Sequence, residues 1–256
     1  MNVVPQENIY AHRQRLFWLR DQLSKTDRAL EFGCGTGRMI ALPLRSWGYD
    51  VIGVDLDPVS IEHGRALFRE AGLDEDALIV GSLENVPGRL DAVIASEVLE
   101  HLTDDELAHS LELIRAKLEP GGTLIVTVPN GYGLFELESF LWYRGGVDRV
   151  YRRLSRGRLA ARLRAAKEAH TEWAQDPSPM TLADSPHRQR FTWSSIHRRL
   201  EEAGFRVRKA RGAMLFCGPA TDLAFSGVPR VMQLNKRLGK RFPRIASDFY
   251  LVAERV

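Results

Sequence analysis

The sequence predicts a layered α/β fold, a parallel sheet with helices on both faces, and three observations predict it. Short apolar runs alternate with amphipathic stretches over residues 28–128, a glycine loop follows the first run, and helix-capping residues open the stretches between later runs. Residues 6–24 pattern as a lead-in helix, with Ile9, Leu16, Leu19 and Leu23 near helical spacing. Ala29–Phe32 is a first strand running into glycines, with helix expected from about Arg38. Tyr49–Val54 is a second strand. Asp57-Pro58 then sets an N-cap and a first-turn proline for a helix that Gly72 stops. Ala77–Val80 and Leu90–Ala95 are the third and fourth strands. Thr103 and Glu106 form a capping box for a helix ending before Pro120, and Thr123–Val128 is a fifth strand.

After Pro129 the alternation stops. Residues 131–190 give helical patterns without a clear strand and read as a helical cap on the substrate side. Thr192 caps a helix with Trp193, Ile196 and Leu200 inward, closed by Gly204, and Phe205–Ala210 and Asp248–Ala253 are the last strand candidates. Residues 212–245 form a second insertion. With 256 residues, 44% of them hydrophobic, the chain suits one domain over 1–256, its lead-in over 1–27. No apolar run is long enough for a membrane span, and MNVVPQENIY lacks the basic and apolar segments of a secretory signal. Two cysteines, Cys34 and Cys217, make no disulfide framework, so a reducing cytoplasm is the expected location.

The first chemical motif is Glu31-Phe32-Gly33-Cys34-Gly35-Thr36-Gly37, at a strand-to-helix junction. Glycines there let backbone approach a ligand. A dinucleotide loop needs G-x-G-x-x-G, but here the spacing is G-x-G-x-G, with Arg38 where the third glycine would stand. Glu31, two residues before the first glycine, would repel a pyrophosphate and attract an ammonium. About 20 residues later Gly53-Val54-Asp55 ends the second strand, where a carboxylate can accept both hydroxyls of a ribose. Gly81-Ser82-Leu83-Glu84 follows strand three at the place of an adenine edge, and Leu118-Glu119-Pro120-Gly121-Gly122 leads into strand five.

Together these residues, over about 28–130 with a weaker return at 187–210, resemble the class I S-adenosylmethionine-dependent methyltransferases. The resemblance implies a Rossmann-like sheet of seven strands, mostly parallel with an antiparallel last strand, Asp248–Ala253. It implies S-adenosylmethionine as cofactor, its methionine part on Glu31, Gly33, Cys34, Gly35 and Gly37, its ribose on Asp55 beside Leu56, and its adenine near Ser82 and Leu83, with Ser96 as a further contact. Ser82 stands where that family often has an aspartate for the adenine amine.

Ser96-Glu97-Val98-Leu99-Glu100-His101 follows strand four. On a helical turn, Glu97, Glu100 and His101 would share a face as i, i+3 and i+4. Such a group could hold a divalent metal, or His101 could serve as a general base on a substrate hydroxyl. The segment E-V-L-E-H is similar to one in the ubiquinone-biosynthesis O-methyltransferases. It is also similar to one in the small-RNA 2′-O-methyltransferases, where the motif binds a metal completed by a histidine-rich stretch before F-x-W. Here that stretch is His187-Arg188-Gln189-Arg190-Phe191-Thr192-Trp193, with Gln189 in place of the second histidine. The expected catalytic residues are therefore His101, His187 and Glu97, and an expected metal set is Glu97, Glu100, His101 and His187. The remaining histidines, including His109, read as surface or structural.

Charge is concentrated in two places. Residues 144–168 carry nine basic and two acidic residues, and a second cluster holds Lys236, Arg237, Lys240, Arg241 and Arg244. Few aromatic residues interleave with the first cluster, which favours a solvated helix, able to attract an anionic substrate or a membrane surface, over single-stranded RNA recognition. The function expected is methyl transfer to an oxygen of a small-molecule, glycan or lipid-linked acceptor. The alternatives are metal-dependent RNA 2′-O-methylation and a non-catalytic cofactor-binding or partner subunit.

Overall fold

The computed structural model describes residues 3–5, 11–145, 187–218, 221 and 228–256. In chain order the elements are α1 (His12–Arg20), β1 (Arg28–Phe32), α2 (Ala41–Ser46), β2 (Asp50–Asp55), α3 (Pro58–Glu70), β3 (Leu78–Val80) and β4 (Leu90–Ser96). There follow α4 (Asp104–Lys117), β5 (Leu118–Pro129), α5 (Leu134–Tyr143), α6 (Trp193–Glu202), β6 (Phe205–Gly212), α7 (Pro229–Arg241) and β7 (Asp248–Arg255). The sheet has seven strands in the order β3-β2-β1-β4-β5-β7-β6. The pairs among β1 to β5 are parallel, and β7 runs antiparallel to β5 and β6.

Alternation along the inner strands separates two apolar layers. In β4, Val93 and Ala95 pack with Leu107, Leu111 and Ile114 of α4 and with Ile196 and Leu200 of α6, while Ala92 and Ile94 pack with α1, α2 and α3 through Leu16, Leu42 and Ile61. Both faces are thus covered, which is why these strands read as nearly continuous apolar runs. The helix ends follow the expected chemistry. Asp57 accepts from Val59 N and Ser60 N, Gly72 takes φ +69° after α3, and the Thr103–Glu106 capping box opens α4.

Three expectations shift. The described part of the lead-in helix is His12–Arg20, with Leu16 and Leu19 buried as expected; Ile9 lies outside the described residues. The helix expected from about Arg38 begins at Ala41, whose N–H is taken by the Glu31 carboxylate at 2.8 Å. Ser96 is still in β4, Glu97 sits at φ +55°, and Leu99–His101 is a single 3-10 turn, so Glu97 and His101 do not share a helix face. The cause is pairing: Glu97 N donates to Thr127 O of β5, and the capping box delays helix until Asp104. Most of the 131–190 cap lies outside the described residues; within it are α5 and 187–190.

Helix α3 sits directly against the glycine loop because residue 64 has no side chain. A Cβ there would lie 2.4 Å from Thr36 O and 2.7 Å from Leu78 Cδ1. Gly64→Ala adds helix propensity, worth about 1 kcal/mol, but overpacks this contact at a typical cost of about 1–3 kcal/mol. We expect a lower urea midpoint with an unchanged slope, whereas a raised midpoint would mean that α3 and the loop can separate freely.

Candidate active site

The chain switches direction between β1 and β4, and a crevice opens at the carboxyl ends of these strands. Gly33 takes φ +68° and lies against Val98, where a Cβ would come within 2.4 Å of Cγ2. The Asp55 carboxylate holds the rim: Oδ2 accepts from Gly35 N at 2.7 Å and Oδ1 from Asp57 N at 2.9 Å. A cavity of about 560 Å³ lies beside this lattice. Gly33, Gly35, Asp55, Leu56, Ser82 and Leu83 line it, and Val98, Leu102, His109 and Leu113 form the opposite wall. Leu56 stands 75% exposed at the rim. Ser82 caps the short turn Leu83–Asn85. His109, read from sequence as surface or structural, is a wall residue; α4 brings it there and no local pattern signals it.

Four expected cofactor contacts stand apart from the cavity wall. Glu31 is buried beneath the loop and its pKa is pushed up to about 8 by burial; the Ala41 N–H and Arg15 oppose the rise and Asp55 adds to it. The Cys34 thiol turns into the core toward Gly53, so only its backbone is on the loop. Gly37 packs on Leu78, Ala41 and Phe68. Ser96 Oγ is 2.7 Å from Thr127 Oγ1.

The turn after β4 carries the remaining groups. Glu97 Oε1 accepts from Thr127 Oγ1 at 2.8 Å and pairs with Arg15 Nη1 of α1 at 3.2 Å. Burial alone would lower Arg15, but the charges of Glu97, Tyr250, Asp248 and Glu100 outweigh it and raise its pKa. Glu100 is 1% exposed, and its carboxyl is held well above the usual range by burial and by the Glu97 charge. Burial and Glu97 likewise push Asp248 up to about 7. The Glu100 carbonyl accepts from Arg188 N at 2.8 Å and Gln189 N at 2.9 Å, which seats His187 edge-on to His101, ring centres 5.1 Å apart.

Glu100, His101 and His187 offer ligand atoms within 4.8 Å of one another. Glu97 is outside this group, held by Arg15 and Thr127, and the expected four-residue set is not assembled. Gln189 turns away to Leu102 O and Asp104. Arg15 and Asp248 were not read as site residues, because each reaches the turn from a distant element.

A family described as a methyltransferase domain matches residues 6–210. The chain belongs to this family. Curated relatives include ubiquinone biosynthesis O-methyltransferases of Brucella ovis, 32% identical over 136 residues, and of Azorhizobium caulinodans, 33% identical over 132 residues. Each match covers 51% of this chain, and the chain spans about half the length of these relatives (50% and 49%). Among solved structures, magnesium protoporphyrin IX methyltransferase from Synechocystis with bound SAH is similar at TM-score 0.55 and 15% identity, over 97% of this chain and 83% of that one. A SAM-dependent methyltransferase from Archaeoglobus fulgidus gives 0.55 and 20%, over 95% and 94%. At these identities the structures establish the Rossmann-like fold. Family membership makes this an enzyme domain and sets aside the non-catalytic alternative.

The raised Glu31 has a consequence for the methyltransferase's stability. Between the ordinary value of 4.5 and about 8, the folded protein holds a proton that the unfolded chain has released. Stability therefore falls as pH rises through that window, and Asp248 adds a smaller fall up to about 7. Glu31→Gln should flatten the decline between about pH 5 and pH 8 in urea unfolding. An undiminished decline would place the titrating group elsewhere.

Proposed function

We propose that this chain transfers the methyl group of S-adenosylmethionine to an oxygen of a small-molecule, glycan or lipid-linked acceptor, with His101 as the base. The observation that carries the reading is the joining of two devices at one sheet edge. The Asp55-braced cavity touches Val98, and three residues on, in the same turn, stands His101, whose N–H donates to Val98 O.

The residues fit the cofactor part by part. A cavity of about 560 Å³ suits a nucleoside, within the range of small-molecule pockets. Asp55 Oδ1 and Oδ2 lie at its rim for the ribose, and Leu56, Ser82 and Leu83 border the adenine place. Glu31 lies behind the glycine loop as the acid nearest the place of the amino-acid head, and it would act on the ammonium through its charge and not as a wall contact. When bound, the cofactor supplies an electrophilic methyl group on a sulfonium. His101 takes the acceptor proton as the new bond forms, His187 stands edge-on to it as the second candidate, and the Arg15–Glu97 pair holds the turn in place. Residues 131–190 serve in this reading as the acceptor-side cap.

A second reading draws on the Glu100–His101–His187 cluster, which could hold a divalent metal and would favour metal-dependent methylation, an RNA 2′-hydroxyl included. Glu97, of the expected set, is missing from it, and Gln189, in the place of the RNA group's second histidine, turns away to Leu102 O and Asp104, so the base reading is preferred.

Turnover and cofactor binding separate the readings. His101→Ala should lower kcat by about 10²–10⁴ and leave cofactor affinity nearly intact. Asp55→Ala should weaken cofactor binding by about 1–3 kcal/mol. A chelator should leave wild-type activity unchanged. Loss of activity on chelation, matched by Glu100→Gln, would establish the metal reading, and normal turnover by His101→Ala would overturn both.

A further inference from the structure

Residues 229–245 hold six cations, Arg230, Lys236, Arg237, Lys240, Arg241 and Arg244, and no acidic residue. Helix α7 docks through the opposite side. Asn235 accepts from Leu215 N and Phe216 N and donates to Phe216 O, and Gly239 lies so close to Ala213 that a Cβ would come within 2.2 Å of its carbonyl. Met232 is buried with Met214 and Cys217. This leaves Arg230, Leu234, Arg237 and Arg241 on one outward stripe, at i, i+4, i+7 and i+11. Large apolar side chains stand among these charges: Leu234 is 56% exposed, Phe242 45% and Ile245 47%. Among the described residues no acidic partner offsets Arg230, Arg237, Arg241 or Arg244.

The stripe lies at the active-site edge. The Arg244 and Ala246 carbonyls accept from Asn130 Nδ2, and Asn130 follows directly on Pro129 at the carboxyl end of β5. Helix α5, which starts three residues beyond Gly131, carries Leu137, Phe140 and Leu141 exposed at i, i+3 and i+4.

We propose that α7 and the turn after it dock this protein on an anionic lipid bilayer, with Phe242 and Ile245 entering the interface and the mouth of the site facing the membrane. Unbalanced basic charge draws the helix to an anionic surface, and bulky apolar side chains beside it gain by leaving water. A nucleic acid would use the cations, but the ring that stands among them, Phe242, is already flanked by the Arg241 guanidinium at 5.5 Å, and a nucleic acid has no use for Leu234 or Ile245. The proposal is independent of the methyl-transfer reading, because binding is measured without turnover.

The test is sedimentation of the full chain with vesicles of phosphatidylcholine alone or with about one-third phosphatidylglycerol. We expect binding to the anionic vesicles only, weakening steeply as salt rises toward about 0.5 M. Arg237→Gln combined with Arg241→Gln should reduce the partition coefficient about thirtyfold, with an unchanged circular dichroism melt showing that the variant is folded. Phe242→Trp should shift its emission to the blue on anionic vesicles. Equal binding to both vesicle types, binding to an oligoribonucleotide but not to vesicles, or vesicle binding without a blue shift would each overturn the proposal.

Discussion

Two peptide N–H groups from different loops meet on one carboxylate. Gly35, after β1, and Asp57, at the start of α3, both donate to Asp55. This convergence sets the distance between the glycine loop and the second strand–helix junction, and therefore the width of the crevice. Much else follows from holding it. Gly64 lets α3 approach Thr36, Gly33 lets the loop lie against Val98, and Val98 leads into the turn that carries His101. A carboxylate satisfied by backbone on both oxygens is also rigid, and a rigid rim keeps a bound group in place at little entropic cost.

A second constraint lies one strand over. Arg15 enters from α1 and faces Glu97, Glu100 and Asp248 at the ends of β4 and β7. Burial, reinforced by the Glu97 charge, pushes the Glu100 and Asp248 carboxyls upward, while Glu97 makes the direct pair with Arg15. Glu97 also takes a left-handed backbone, an arrangement that costs free energy and persists only where the surroundings determine it. Here its own N–H on Thr127 O and its carboxylate between Thr127 and Arg15 determine it. The lead-in helix is thus part of the site. It covers the core with Leu16 and Leu19 and reaches the turn after β4 with Arg15.

The parts of this arrangement legible in the sequence are those written in short-range patterns. Apolar runs, the Asp57-Pro58 cap and the Thr103–Glu106 box are local, and each element they predict is present within a few residues. The glycine loop and Asp55 are recognisable because their spacing along the chain fixes their spacing in a parallel sheet. The E-V-L-E-H segment misleads for the same reason in reverse. Its i, i+3, i+4 spacing suggests a helix face, but the tie between Glu97 N and Thr127, thirty residues away in β5, holds Glu97 in a left-handed conformation and breaks the helical path. Arg15, Asp248 and His109 join the site through tertiary packing, which no spacing encodes. The Glu100 carbonyl that orders residues 188 and 189 is invisible to any side-chain pattern.

The central claim is that the crevice between Asp55 and the His101 turn binds S-adenosylmethionine, with Glu31 beneath the glycine loop sensing the charge of its ammonium. Calorimetric titration of the folded full chain near neutral pH, in two buffers of different ionisation enthalpy, tests both parts. With Glu31 pushed up to about 8 in the free protein, a neighbouring ammonium should ionise it. The account predicts affinity of micromolar order and release of close to one proton per cofactor bound. Binding without proton release would remove Glu31 from the cofactor's environment, and no binding at about millimolar cofactor would contradict the account as a whole.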